Sequence, residues 1–173
     1  MAREIFEWIK TIVVAVVIAL VITTFIRPTL VKGQSMYPTL EPNNYLIINK
    51  IPYMMHKPER GDIVVFKSHL KTDDGKEKDL IKRVVAVAGD NVVIKDGVTY
   101  INGEKQNEGY INGDFTSGDV EVEVPEGKVF VMGDNRQNSL DSRDPRVGNV
   151  DIETIIGKVL VRLFPFNEIG KVK

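Results

Sequence analysis

From Thr11 to Ile26 the chain carries no charge, and its centre, Ile12-Val13-Val14-Ala15-Val16-Val17-Ile18-Ala19-Leu20-Val21-Ile22, is apolar all round. Few structures accept such a run. It can cross a bilayer, be removed as a signal, or be wrapped completely by the rest of the protein. The run alone spans about 24 Å at ~1.5 Å per residue, short of the ~30 Å hydrocarbon layer. Phe6, Trp8 and Ile9 extend it, Lys10 can turn its amine outward, and Trp8 suits the interface, so Ile5 to Ile26 predicts a transmembrane helix. A core helix in so small a protein would show a polar face, and none is present. A cleaved signal would show an Ala-x-Ala-like exit, whereas this run ends Thr24-Phe25-Ile26-Arg27-Pro28. The run therefore reads as an uncleaved anchor. Arg3 and Lys10 on one side barely outweigh Arg27 and Lys32 on the other, so charge alone does not set its sidedness.

Beyond Pro28, expected to end the helix, short Val/Ile-rich runs alternate with Gly, Pro, Asn and Asp, the pattern of a mainly β, antiparallel domain. Two parts are predicted: residues 1–27 as tail and anchor, and residues 28–173 as a single β domain. Strands are expected over Tyr45–Asn49, Asp62–Phe66, Leu80–Ala88, Asn91–Lys95, Thr99–Ile101, Val120–Val124, Lys128–Met132 and Ile156–Leu163. Asp96-Gly97 and Asn102-Gly103 are turn signals that make Val92 to Glu104 a hairpin. Ser68 to Lys78 reads as a charged surface loop, and a short helix is expected near Asp151 to Ile155.

Composition removes several functions. Twenty-three basic against twenty-four acidic residues leave a net charge of -1, which argues against a nucleic-acid partner. Cysteine is absent, so disulfides, thiolate metal sites and cysteine nucleophiles are excluded, as suits an extracytoplasmic protein. Two histidines, His56 and His69, sit among polar or turn-forming neighbours and are poor material for a metal centre or a serine-histidine-aspartate triad.

Chemistry gathers elsewhere. Ser35, in Gly33-Gln34-Ser35-Met36-Tyr37-Pro38-Thr39-Leu40, lies nine residues beyond Ile26, within about 30 Å of the anchor's end. A serine there is by itself a common turn hydroxyl. Lys82 lies in Leu80-Ile81-Lys82-Arg83-Val84-Val85-Ala86-Val87, where strand alternation sets it on one face with Leu80, Val84 and Ala86. An edge lysine that blunts aggregation is the plainer alternative. If buried, the amine must lose proton affinity: a fall from ~10.4 to about 8 costs roughly 3 kcal/mol, which a packed apolar site can impose. A neutral amine could then take the proton of Ser35, making a nucleophile and its base. Arg83 is expected on the opposite face, in water or in a carboxylate pair. Gly133 to Asp144 is too polar for a core strand. Asp134, Asp141 and Asp144 do not match an EF-hand spacing, and no metal or other cofactor is expected. Asp141 is expected to pair with Arg143 or Arg136 and stiffen the loop, leaving the Ser139 hydroxyl to hold the lysine in line.

These segments, in this order, resemble the bacterial type I signal peptidases, in particular the compact Gram-positive members. Ser35-Met36-Tyr37-Pro38-Thr39-Leu40 is similar to the family's nucleophile segment. Arg60 to Phe66, Ile81 to Asp90, and Gly133 to Arg143 follow as its other conserved boxes. The resemblance covers nearly the whole chain. It implies a membrane-anchored serine endopeptidase with a Ser-Lys dyad: Ser35 as nucleophile, Lys82 as general base, Ser139 orienting the lysine, and Gly133, Asp141 and Arg143 supporting the loop. It also implies a cytoplasmic N-terminus, a single span and an outer catalytic β domain resting on lipid near the export translocon. Its substrates would be signal-peptide-bearing preproteins, cut after small residues in an Ala-x-Ala-like pattern. Pocket walls are implied at Val31, Met36, Leu40, Val65, Leu80 and Ile81, each of which could equally be core. One departure is Gly33, where many relatives carry a serine whose hydroxyl helps hold the oxyanion. The Ser35 backbone N–H can still serve, with a second main-chain donor or a water. A self-cleaving repressor protease shares this dyad, but would carry a DNA-binding module in place of the apolar helix. The non-enzyme alternative is an anchored β domain that binds exported or envelope proteins.

Overall fold

The computed structural model describes residues 2–72 and 74–172. Its first element, α1 (Ala2–Phe25), leaves its large apolar side chains uncovered, with Trp8 70% and Leu20 63% exposed. Twenty-four residues at ~1.5 Å each make a rod of about 36 Å, long enough to cross a bilayer. The helix stops three residues before Pro28 rather than at it. Arg27, as the residue before a proline, is forced toward extended backbone, and the chain passes directly from Phe25 into strand β1 (Ile26–Leu30). Pro28 is tolerated there because β1 lies at a sheet edge. The junction is pinned by the Lys50 N–H, which donates to the Phe25 carbonyl at 3.0 Å.

The remaining strands are β2 (Tyr45–Asn49), β3 (Ile63–Lys71), β4 (Glu77–Val87), β5 (Asn91–Lys95), β6 (Val98–Ile101), β7 (Glu104–Lys105), β8 (Val120–Glu123), β9 (Lys128–Met132), β10 (Val150–Asp151), β11 (Ile155–Phe164) and β12 (Gly170–Lys171). Their pairings are antiparallel. Two sheets result. The larger runs β1-β2-β11-β3-β4-β9-β10, with β12 on β11; the smaller runs β7-β6-β5-β8.

Strand alternation sorts the core. Along β3, Ile63 and Val65 enter one cluster with Val31, Met36, Leu40, Leu46 and Ile48, while Val64 and Phe66 enter another with Leu80, Val84 and Val131. A third cluster, around Val85, Val92, Ile94, Ile101 and Phe130, joins the two sheets. Ala86 packs in this third cluster and not with Lys82's neighbours Leu80 and Val84, because the β4–β9 register shifts between Val84 and Ala86.

The expected hairpin forms, with Asp96 and Gly97, then Asn102 and Gly103, at positive φ in its two tight turns. Ser68 to Lys78 is not a loop. β3 continues to Lys71 and β4 begins at Glu77, with Lys67 opposite Asp79, Lys71 opposite Glu77, and Ser68 Oγ donating to the Lys78 carbonyl at 2.6 Å. Asp73 lies outside the described residues. A single 3-10 turn occupies Ile152–Thr154, and α2 (Pro52–Met55) is a short helix the sequence pattern did not suggest.

Candidate active site

The segment after β1 folds back on itself because its apolar residues are drawn into the core. Val31 is held by backbone bonds to Asn44 and Asn43, and the Leu40 N–H donates to the Met36 carbonyl at 2.8 Å. Met36 and Leu40 are fully buried, which leaves Ser35 half-buried at the surface of the turn. The loop after β9 braces this turn from behind. Asn135 N–H donates to the Ser35 carbonyl at 3.0 Å, and Asn135 Nδ2 donates to the Gln34 carbonyl at 3.1 Å. The Ser35 N–H has no hydrogen-bond partner among the described residues, and space beside Gly33 is open.

Lys82 stands on β4 opposite Val64 and is only 2% exposed. Its Nζ lies 2.6 Å from Ser35 Oγ and donates to the Ile81 carbonyl at 3.0 Å. Burial pushes the amine down from 10.5 to about 8; the Asp141 carboxylate opposes that fall and the nearby Lys78 charge adds to it. Near neutrality about a tenth of such amines is uncharged, whereas almost none would be on an ordinary lysine. Arg83, the next residue, is equally buried. Its guanidinium grips Asp134 through bonds of 2.9 and 2.7 Å, donates to the Gly61 carbonyl, and lies 4.1 Å over the Tyr110 ring. Of the two settings expected for it, the carboxylate pair is the one realised.

Gly133 to Asp144 forms the rigid support. Asp141 Oδ2 accepts from the Gly133 N–H at 2.9 Å, and both its oxygens are held by Arg143 at 2.8 and 2.9 Å. Burial raises the Asp141 carboxyl, but the Arg143 bonds and charge outweigh it, so the group stays below the ordinary carboxylate range. Arg143 also ties the loop to the Ser117 and Arg136 carbonyls. A side chain on Gly133 would run into the Ser35 carbonyl and the Ser139 hydroxyl, so only glycine lets these strands approach so closely. Ser139 is brought beside Gly133, yet its Oγ is buried without a hydrogen-bond partner among the described residues and does not bond to Lys82.

Two residues escaped sequence reasoning. Glu108 takes both arms of the fully buried Arg136, at 2.7 and 2.6 Å, and Tyr110 stacks against Arg83. They bind the smaller sheet's outer segment to the active-site loop. The three aspartates of that loop each hold a different arginine: Asp134 with Arg83, Asp141 with Arg143, Asp144 with Arg146. Among the described residues no His, Asp or Glu group is arranged to hold a metal ion, and His56 and His69 are exposed.

A groove of about 630 Å³ leads to the Ser35–Lys82 pair, lined by Val31, Met36, Val65, Leu80 and Ile81, together with Gln34, Asn138 and Leu140. Leu40 does not reach it. That side chain is wholly enclosed in the core behind the groove, because the turn that presents Ser35 directs Leu40 inward. Among the described residues neither wall pairs with a strand on its groove side: β1 ends the sheet, and β4 pairs with β9 only from Arg83 onward.

Comparison with known proteins places the chain among relatives of one kind. A family described as signal peptidase, peptidase S26, matches residues 5–164. Signal peptidase IB of Staphylococcus aureus (strain COL) is 38% identical over 131 residues, 71% of this chain and 65% of that protein. Signal peptidase I of Bacillus licheniformis is 43% identical over 113 residues, 64% of this chain and 57% of that protein. The matched stretch thus spans under two thirds of the length of these relatives. A solved signal peptidase I from Enterococcus faecalis V583 shares 31% identity with a TM-score of 0.48, covering 59% of this chain and 96% of its own.

Proposed function

The chain belongs to the signal peptidase family, peptidase S26, and from that premise we propose that it is a membrane-anchored serine endopeptidase removing signal peptides from exported preproteins. The observation that carries the reading is the 2.6 Å approach of Lys82 Nζ to Ser35 Oγ, with the amine buried and titrating at about 8. In its neutral form Lys82 removes the Ser35 proton as Oγ attacks the carbonyl carbon after a small residue. The oxyanion is received by the free Ser35 N–H, and open space beside Gly33 admits a water as second donor. The Lys82 ammonium returns its proton to the departing amine, leaving an ester on Ser35. Lys82 then takes a proton from water as its oxygen attacks the ester carbonyl, and passes that proton to Ser35 Oγ as the ester bond breaks, so that the signal peptide leaves as a free carboxylate and both side chains are restored. Neither metal nor nucleotide takes part.

Asp141, Arg143 and Gly133 are assigned to stiffen the loop beside the base through their mutual bonds, and Ser139 to orient the lysine. Shallow apolar walls at Val31, Met36, Val65, Leu80 and Ile81 suit alanine-sized side chains and exclude larger ones. We assign residues 1–27 to a cytoplasmic tail and single span, and residues 28–173 to an extracytoplasmic catalytic domain acting on lipid-borne preproteins near the translocon. The test is to incubate the full chain, Ser35→Ala and Lys82→Ala with a preprotein and to sequence the new N-terminus. Cleavage after a small residue by the parent alone is expected. Cleavage by either variant at the parent's rate would overturn the mechanism.

A further inference from the structure

The groove is crossed twice by side chains. At one end Ser35 meets Lys82; at the other, Arg27 Nη2 on β1 reaches Asp79 Oδ2 on β4 at 3.0 Å. These walls are four places apart in the sheet, about 19 Å if the sheet were flat. An ion pair between them means that the sheet curls until its edge strand faces β4. Both walls run in the same direction, Arg27 to Ser35 against Asp79 to Lys82, and both line the groove. Among the described residues no strand pairs with β1 or with the Asp79–Lys82 stretch of β4 on the groove side, so an extended peptide can add between them as a strand. An inserted strand needs about 4.8 Å on each side. At the level of Arg27 and Asp79 that space is filled by the ion pair.

We propose that the Arg27–Asp79 ion pair is a bar across the helix-side end of the groove, which an extended substrate must open to bind, making these two residues determinants of substrate affinity for the peptidase function proposed above. Asp79 lies three residues from Lys82, about 10 Å along the strand. The bar therefore meets substrate about three to four residues before the bond that is cut, on the side of the helix end at Phe25. Both side chains are partly exposed, 44% and 33%, so the pair is weak enough to be displaced and strong enough to compete.

The experiment measures binding and cleavage separately, on the full chain in detergent. Binding of uncharged, dye-labelled peptides is measured in a Ser35→Ala background: a long peptide reaching past Asp79, and a short one that stops at the third residue before the cut. Cleavage of the same peptides by the parent tests the peptidase reading alone. Arg27→Gln and Asp79→Asn should each tighten the long peptide's Kd about two- to fivefold, the scale of an exposed ion pair. The double variant should gain nothing further, and the exchanged pair Arg27→Asp/Asp79→Arg should return the parent's Kd. Raising salt to about 0.5 M should tighten the parent's binding and leave both single variants unchanged. The short peptide should be indifferent throughout. An unchanged or weaker Kd in both single variants, or an equal gain with the short peptide, would overturn the proposal whether or not the parent cleaves.

Discussion

Replacing Lys82 by methionine should make the protein more stable while abolishing the proposed peptidase activity, and the gain should depend on pH in a predictable direction. The amine titrates at about 8 in the fold against 10.5 when unfolded. At ~1.4 kcal/mol per pH unit, keeping it charged inside the protein costs about 3 kcal/mol. In the window between those values the unfolded chain holds the proton that the folded one has released. Wild-type stability therefore rises with pH there, and below about 8 the whole cost is present. Methionine removes the charge and fills similar space, while losing the contacts to Ser35 Oγ and the Ile81 carbonyl, worth about 1 kcal/mol together. The net gain at pH 6 is about 2 kcal/mol, or about 4–8 °C in Tm for a chain of this size. Melts followed by far-UV circular dichroism at pH 6, 8 and 10.5, each on parent and variant, read the difference directly. Other lysines and tyrosines titrating in that range cancel between the two proteins. A variant less stable at pH 6, or an advantage that does not shrink by pH 10.5, would refute the claim of a desolvated amine.

Three further outcomes follow from the same geometry. kcat/KM for peptide cleavage should rise with pH through a midpoint near 8, as the Lys82 ammonium gives way to the amine, and a profile flat from pH 6 to 10 would contradict it. Gly133→Ala should lower kcat by more than about tenfold and cost about 1–3 kcal/mol in denaturant titrations, since the new methyl meets the Ser35 carbonyl and the Ser139 hydroxyl. Glu108→Ala should destabilise by about 3–5 kcal/mol, because it leaves the enclosed Arg136 guanidinium without its counter-charge; Glu108→Gln, which keeps an acceptor, should lose less.

Much of this molecule could be read before its coordinates. The anchor helix, the strands at Tyr45–Asn49, Asn91–Lys95 and Lys128–Met132, and the double-turn hairpin were legible because apolar period and turn residues agree there. The outer arms of β3 and β4 were not, since Lys67, His69, Lys71, Glu77, Lys78 and Asp79 extend beyond the core and alternate nothing apolar. β1 was hidden by Arg27 and Pro28, which look like a helix terminus and make sense as a strand only at an edge. The burial of Lys82 was legible because an amine among valines is costly wherever it is placed. Glu108 and Tyr110 were invisible for the opposite reason: they lie in a turn-rich stretch without period, and their partners are buried arginines that composition assigns to water.

The joint at Phe25 and Ile26 has a mechanical consequence. Helix and groove wall share one unbroken chain, and the clamp from Lys50 removes the swivel that a loose linker would provide. Where α1 spans a bilayer, a change in lipid thickness that leans the rod leans the cleft with it. The altitude of the Ser35 hydroxyl over the headgroups is then fixed by the angle of a rigid strut, and not by the slack of a tether.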